Sequence, residues 1–457
     1  MKAATQRKAL VCLVLSAAIS ITWGSVIARN SYSGMGGLKA IYYGARCLME
    51  HSDPYNPAVL QQEYWAEGNT FPVNPTEADL FRRGMLVCVN LPTSLFLIAP
   101  LAMLPWKIAA SIWMVLDAVS LLMAAFLIWM AAKDYALKPA TLLTCLLLAN
   151  VEIVLALGNL AGIVTGLCII AVWCFLEERF VRAGVICLAV SLALKPHDGG
   201  LVWLYFLLAG GVHRKRALQT LVVVAVLMLP AILWVSRESP QWPLELRANM
   251  HALSAHGSVN DPGPDSMTFR SVDHVISLQS SFSLIRDEPR FYDLASYITC
   301  GLLLLAGAIC VFKARLTKQN AWLALAAVAA LSMLPVYHRA YDAKLLLLAV
   351  PACAMLWREG GRAKWVAGLM TTLALASTAD VPLTILLGIM KGVQGGIHGA
   401  WGKLLTAFAF HPAPLVLLAT GIFYLWAYFR RTAHEGRGSA DACESLGTAV
   451  ATKGGCL

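Results

Sequence analysis

Residues 86–104, LVCVNLPTSLFLIAPLAML, are apolar along most of their length, but Pro92, Pro100 and, just past the end, Pro105 divide the run into short pieces. Proline lacks a backbone donor and clashes with the preceding turn, so each one ends or bends a helix. Broken backbone is tolerated at membrane depth only where protein or a water-filled cavity surrounds it. The run is therefore expected to be a re-entrant or surface-lying segment. Whether it spans decides the topology of everything that follows it.

The 457-residue chain is 58% hydrophobic and 14% charged, against about a quarter charged in soluble domains, which excludes a water-soluble globule. Several apolar runs are long enough to cross the hydrocarbon as helices, and no alternating pattern suggests a barrel. The expected fold class is an all-α polytopic membrane protein. The first segment, 9–28, follows Lys2, Arg7 and Lys8 and reads as a retained anchor. The net charge of +10 falls in short clusters at 133–138, 179–182, 213–216, 313–318, 358–364 and 430–431, each between apolar runs. That placement is how cytoplasmic loops set topology, and it gives no support to nucleic-acid binding.

With these clusters and the N-terminus on the cytoplasmic side, the helix at 108–132 must run inward, so 86–104 cannot also span. The other spans fall at 140–157, 160–177, 183–195, 199–212, 217–236, 295–312, 320–336, 343–357, 364–380 and 411–429, making about twelve in all. Residues 1–431 form one multi-span membrane domain with long outer regions at 29–107 and 237–293 and a shorter one at 380–403. Residues 432–457 read as a disordered cytoplasmic tail. No inverted internal repeat is visible. Most of the twelve cysteines lie inside apolar runs, and no Cys-x-x-Cys pair suggests zinc or redox work. Cys47 and Cys88 lie outside the spans, where they pair if that side is oxidising.

Within the first outer region, Leu38, Ile41, Tyr42, Ala45, Leu48 and Met49 recur at helical spacing while Lys39, Arg46 and Glu50 take the other side. This describes an amphipathic helix on the outer membrane surface, ending near Ser52 because Pro54 disfavours helix at Asp53. Charged groups near apolar spans are functional suspects, since burying them is costly. Asp117 lies mid-helix, and Glu152 and Asn159, seven apart, share nearly one face. Lys195, followed by Pro196, His197 and Asp198, places a cation at a helix end suited to a phosphate, with snorkelling to head groups as the competing role. The stretch 335–344, PVYHRAYDAK, brings His338, Arg339, Asp342 and Lys344 to the outer end of another span. Lys195, His338 and Arg339, with carboxylates of the outer region, describe a site for an anionic lipid head group.

The order of YYGARCL and DPYNP after the first span, a Pro-broken apolar segment, LALGNLAG, LALKP and a late outer histidine resembles glycosyltransferase family 87, polyprenyl-phosphate-mannose-dependent enzymes of the GT-C membrane fold. The similarity covers most of residues 10–430. It implies a hexosyltransferase, acting with inversion, that takes a hexose, mannose in the type case, from a polyprenyl-phosphate donor on the non-cytoplasmic face of the plasma membrane. The implied acceptor is a lipid or glycan, the surroundings are membrane lipids, and neither a cofactor nor a metal is implied.

Such transfer needs a carboxylate to deprotonate the acceptor hydroxyl and cations to hold the phosphate. The family's aspartate before the Tyr-Tyr pair is replaced here by the sequence around Gly37. Asp53 or Glu50, or else Asp79, then takes the role of base, unless the chain has lost transfer. By the resemblance Lys195 and Arg339 hold the phosphate, His338 positions donor or acceptor, and Tyr42, Tyr43, Arg46, Asn159 and Asp342 line the substrate. The residues leave two other readings open: a transporter or flippase of a lipid-linked sugar, and a non-catalytic binding subunit.

Overall fold

The computed structural model describes residues 2–30, 34–67, 86–266, 269, 274–314, 317–380, 385, 402 and 406–453. Among these the chain is helical, with one isolated bridge, Val275 to Arg339, in place of any strand. Among the described residues seven helices are long and apolar enough to cross a membrane: Ala4–Asn30, Trp106–Lys133, Leu137–Leu157, Gly211–Glu238, Pro289–Lys313, Ala340–Glu359 and Ala413–Glu435. Burial sorts them. The apolar window of Ala340–Glu359 is 94% buried, whereas that of Pro289–Lys313 is 11% buried. The first is a central element; the second turns its apolar side chains outward, an arrangement stable in lipid but not in water.

Small residues let the central helices approach closely. Lys318–Leu331 buries Ala324, Ala326, Ala327, Ala329 and Ala330, and Leu160–Leu176 sets Gly162 and Gly166 against Asp117 and Ser120 of Trp106–Lys133. The Ala413–Lys453 helix begins as a span and carries helical backbone on into the polar tail.

The basic connections gather at one end of the bundle. Lys318 pairs with Glu177 at 2.6 Å, Arg216 with Glu178 at 3.6 Å, and Arg431 with Glu359 at 2.6 Å, while Asn320 donates to Glu435 at 2.8 Å. At the other end the two long regions read from the sequence as outer meet. Asn249 Nδ2 donates to the carbonyls of Tyr55 (2.8 Å) and Cys88 (3.0 Å), and His51 lies 3.1 Å from Glu238.

The Pro-broken run forms the helix Pro92–Ala102, 11 residues long and so about 17 Å at 1.5 Å per residue, too short to cross. Proline at its first position costs nothing, because that donor has no helical partner. Gly36–Met49 packs on it and buries ten of its 14 residues. The surface-lying anchor expected there is instead covered by protein. Its polar groups are answered from within the fold: Tyr42 OH donates to the Leu104 carbonyl at 2.7 Å, Tyr43 OH to Glu67 at 2.7 Å, and Arg46 to Glu67 at 2.5 Å. Burial and the Glu67 carboxylate push the Tyr43 hydroxyl well above its ordinary pKa. Cys47 and Cys88 are buried free thiols, and burial pushes Cys88 up to about 12, so little thiolate is available there.

Candidate active site at the capped end of the bundle

The site begins with a broken helix. Val181–Leu194 cannot continue through Pro196, and Lys195 adopts an extended backbone (φ −153°, ψ 84°) between it and the next helix, Pro196–Ala209. Carbonyls at such an end need other donors. They come from the Pro-broken segment: Ser94 Oγ donates to Leu194 O at 2.8 Å, and Thr93 Oγ1 donates to Ala193 O. The LPTS stretch therefore clamps the turn that carries Lys195.

Lys195 Nζ donates to Asp342 Oδ1 and lies 3.1 Å from Asp198 Oδ2. Asp342 Oδ2 accepts the Arg339 backbone N–H at 2.9 Å, at the start of the 3₁₀ turn Ala340–Leu348. Asp198 Oδ1 faces two imidazoles, Nε2 of His338 at 3.3 Å and Nε2 of His197 at 3.4 Å. Asp198, His338 and Asp342 are each at most 3% exposed. One ammonium thus serves two buried carboxylates, so Lys195 is not the bare cation that its place in the sequence suggests.

Beside this cluster lies a cavity of about 150 Å³, bordered by Gly37, Asn90, Asn159, Asn260, Arg339 and Tyr341 among others. Tyr341 links the two, its ring centre 5.7 Å from Lys195 Nζ. Arg339 is spread over the wall: its guanidinium donates to Val259 O at 2.7 Å, to Asn260 Oδ1 at 3.0 Å and to Tyr337 OH. This ties the second outer region to the 335–348 stretch, alongside the bond from Ile276 N to His338 O at 2.8 Å. The first outer region roofs the cavity through Gly36, Gly37 and Ala40.

Asn159 caps the Leu160–Leu176 helix, its Oδ1 accepting Ala161 N–H at 3.0 Å, and Gly158 before it turns with φ 57°. The LALGNLAG stretch is thus a helix–turn–helix corner at the cavity edge. Glu152 is buried near Asp380 and Lys344, and Asp380 Oδ2 accepts Ile153 N–H at 3.3 Å. Asp117 presses its carboxylate on Gly162. Both belong to the bundle interior and do not border the cavity.

Lys195, His338, Arg339, Asp342 and Asn159 therefore come together. Tyr42, Tyr43, Arg46 and Asp53 do not border the cavity. Asp53 accepts Tyr55 N–H at 2.9 Å in a local turn. Glu245 stands beside it, and burial, together with the like charge of Asp53, raises the Glu245 carboxyl above the usual range. Asp79 lies outside the described residues. Among the central residues, sequence reasoning gave no site role to Asp198 and named neither Asn260, Tyr337 nor Tyr341; only the Lys-Pro-His-Asp run marked Asp198 in advance.

Comparison with known proteins returned no significant match among curated proteins or solved structures. The family model for glycosyltransferase family 87 matches residues 89–336, more than half of the chain. That span takes in the clamp at Thr93 and Ser94, the Asn159 corner and the Lys195–Asp198 turn, and ends two residues before His338. With a helical membrane-type fold and a roofed polar cavity already in place, the conclusion is that the chain belongs to glycosyltransferase family 87 and is a membrane glycosyltransferase.

Proposed function

We propose that the protein transfers a hexose, mannose in the first instance, from a polyprenyl-phosphate donor to a lipid or glycan acceptor, with inversion, on the non-cytoplasmic face of the plasma membrane. On this proposal the bundle crosses the membrane about twelve times, with the shorter apolar helices completing the set of seven long ones. The end carrying the basic connections faces the cytoplasm.

The observation that carries the proposal is the meeting of Lys195, Asp198, His338 and Asp342 next to a cavity roofed by the first outer region. A lipid phosphate reaching that cavity meets the Arg339 wall, with Lys195 behind the Tyr341 ring, and Asn90, Asn159 and Asn260 offer amides of the kind that hold sugar hydroxyls. Asp198 and Asp342 aim Lys195. We assign the base to the first outer region, where Asp53 shares a carboxyl pair with Glu245 and Asp79 is the alternative; Asp53→Asn and Asp79→Asn variants compared side by side decide between them.

The test is transfer of labelled mannose from polyprenyl-phosphate mannose into lipid-extractable or glycan product by purified protein in bilayer discs. Label in product supports the proposal. Folded protein that transfers no hexose from any polyprenyl-phosphate sugar to host acceptor extracts contradicts it.

A further inference from the structure

Two imidazole nitrogens, one from His338 and one from His197, converge on the same oxygen of Asp198. His338 Nδ1 lies 3.2 Å from the Val336 carbonyl oxygen. A carbonyl only accepts, so Nδ1 carries a proton, which leaves Nε2 as the ring's ligand nitrogen whenever the imidazole is neutral. Nε2 faces Asp198 Oδ1 at 3.3 Å, inside a region where both residues are at most 3% exposed. His338 Nε2 and Asp198 Oδ1 have no hydrogen-bond partner in the usual geometry, while Asp198 Oδ2 has Lys195 Nζ at 3.1 Å. The cluster is also short of positive charge, because Lys195 is shared by Asp198 and Asp342. A buried surplus carboxylate is costly unless something compensates it.

We propose that His197 Nε2, His338 Nε2 and Asp198 Oδ1 bind one divalent transition-metal ion, Zn²⁺ by ligand type, with a fourth position open. Ligand atoms of a tetrahedral ion with bonds of about 2.0–2.1 Å stand about 3.3–3.4 Å apart. Asp198 Oδ1 lies 3.3 Å and 3.4 Å from the two nitrogens, and all three ligand atoms fall within 4.8 Å of one another. The remaining His–His separation closes by movement of His197, the exposed member of the three, which also marks the side of entry. Two imidazoles and one carboxylate suit zinc and its neighbours rather than magnesium or calcium. The outer partners are in place: Val336 O fixes the His338 tautomer, and Lys195 holds the second oxygen of Asp198. On the proposed function, and on that reading alone, the fourth ligand is an oxygen of the donor phosphate, since the ion turns the cluster from net negative to net positive.

A second His–carboxylate group, His256, Asp261 and Asp287, serves as the control. There Asp261 already accepts Gly257 N–H at 2.7 Å and Gly263 N–H at 2.9 Å.

The full chain, purified on a metal-free affinity tag, is analysed by elemental mass spectrometry, then stripped with chelator and titrated with Co²⁺ while visible absorption is followed. The expected result is about one metal per chain and a Co²⁺ ligand-field band, lost in His338→Ala and Asp198→Asn, weakened at least ~10-fold in His197→Ala and retained in Asp287→Asn. His197→Ala guards against misfolding of the buried variants, because its ring lies at the exposed side. Folded wild-type protein that takes up no Co²⁺, or binding unchanged in both histidine variants, overturns the site. Bound metal with hexose transfer unaffected by complete chelation overturns the phosphate-ligand role alone; bound metal with no transfer overturns the donor reading and leaves the metal site standing.

Discussion

Lys195 and Asp342 are joined by a direct ion pair although 147 positions separate them in the chain. Because Asp198 shares the same ammonium, Lys195 is the counter-ion of two buried carboxylates. Removing one partner of a buried pair leaves an uncompensated charge, at a cost of about 3–5 kcal/mol. Lys195→Met is expected to lower stability by that order and hexose transfer by at least ~100-fold. Lys195→Met with Asp342→Asn recovers part of the stability and none of the transfer. Thermal unfolding of the single and double variants, with the transfer assay beside it, checks both halves; a double variant no more stable than the single one contradicts the pairing.

The position expected to hold the family's aspartate has no room for one. A Cβ on Gly37 would stand 2.9 Å from Asn159 Cα and 3.1 Å from Leu157 O, backbone that cannot step aside cheaply. Gly37→Asp is therefore expected to destabilise by about 1–3 kcal/mol, in the range of overpacking, and to leave transfer no higher. A gain of transfer in that variant would show that the roof yields and that this chain lacks its base.

Gly162→Ala is expected to be still more damaging. Its Cβ would fall 2.0 Å from Asp117 Oδ1 and 2.7 Å from Val154 Cγ1, so the buried Asp117 carboxyl must be displaced or the Leu160–Leu176 and Trp106–Lys133 helices must shift apart. Loss of folded protein on detergent extraction, against near-normal yield for a lipid-facing change such as Val222→Ala, is the predicted outcome.

Thr93→Val and Ser94→Ala remove the hydroxyls that satisfy Ala193 O and Leu194 O. Each variant leaves a buried acceptor unpaired, at about 1–3 kcal/mol. Because the clamp sets the Lys195 turn, the KM for the donor is expected to rise as well. Lowered stability with an unchanged KM would make the clamp purely structural.

Glu245 gives the pH prediction. Its folded-state pKa is raised by burial and by Asp53, so its stabilising contribution is full below the unfolded value of about 4.3 and is lost as pH rises through the raised folded value. Glu245→Gln is expected to melt higher than wild type at pH 7 and level with it near pH 4. Melting curves across that range check the sign, and a wild type relatively more stable at pH 7 reverses it.

The helical fold was legible because each apolar run carries its own length and boundary signals, and the prolines at 92 and 100 announced a helix too short to cross. The grouping of basic connections at one end was equally readable, since topology is written in loop charge. The fate of Gly36–Met49 was not: periodicity marks an apolar face but is silent on whether protein covers the rest, and Tyr43 and Arg46 find Glu67 only in three dimensions. In the site, Lys195, His338, Arg339 and Asp342 stood out as charges next to apolar spans. Lys195 and Asp198 pair within one turn, but that Asp198 also faces His338 and that Lys195 reaches Asp342 depends on packing between distant parts of the chain, which spacing along the chain does not encode.

The central claim is that the Lys195–Asp198–His338–Asp342 cluster and its cavity receive the donor lipid phosphate. A photoreactive polyprenyl-phosphate analogue, irradiated with the purified protein and mapped by peptide mass spectrometry, tests it most directly. The account predicts label on the segments around 195–198 and 335–342, competed away by polyprenyl-phosphate mannose and lost in Lys195→Met. Competable label confined to the basic end, around Arg362 and Arg430, would contradict it.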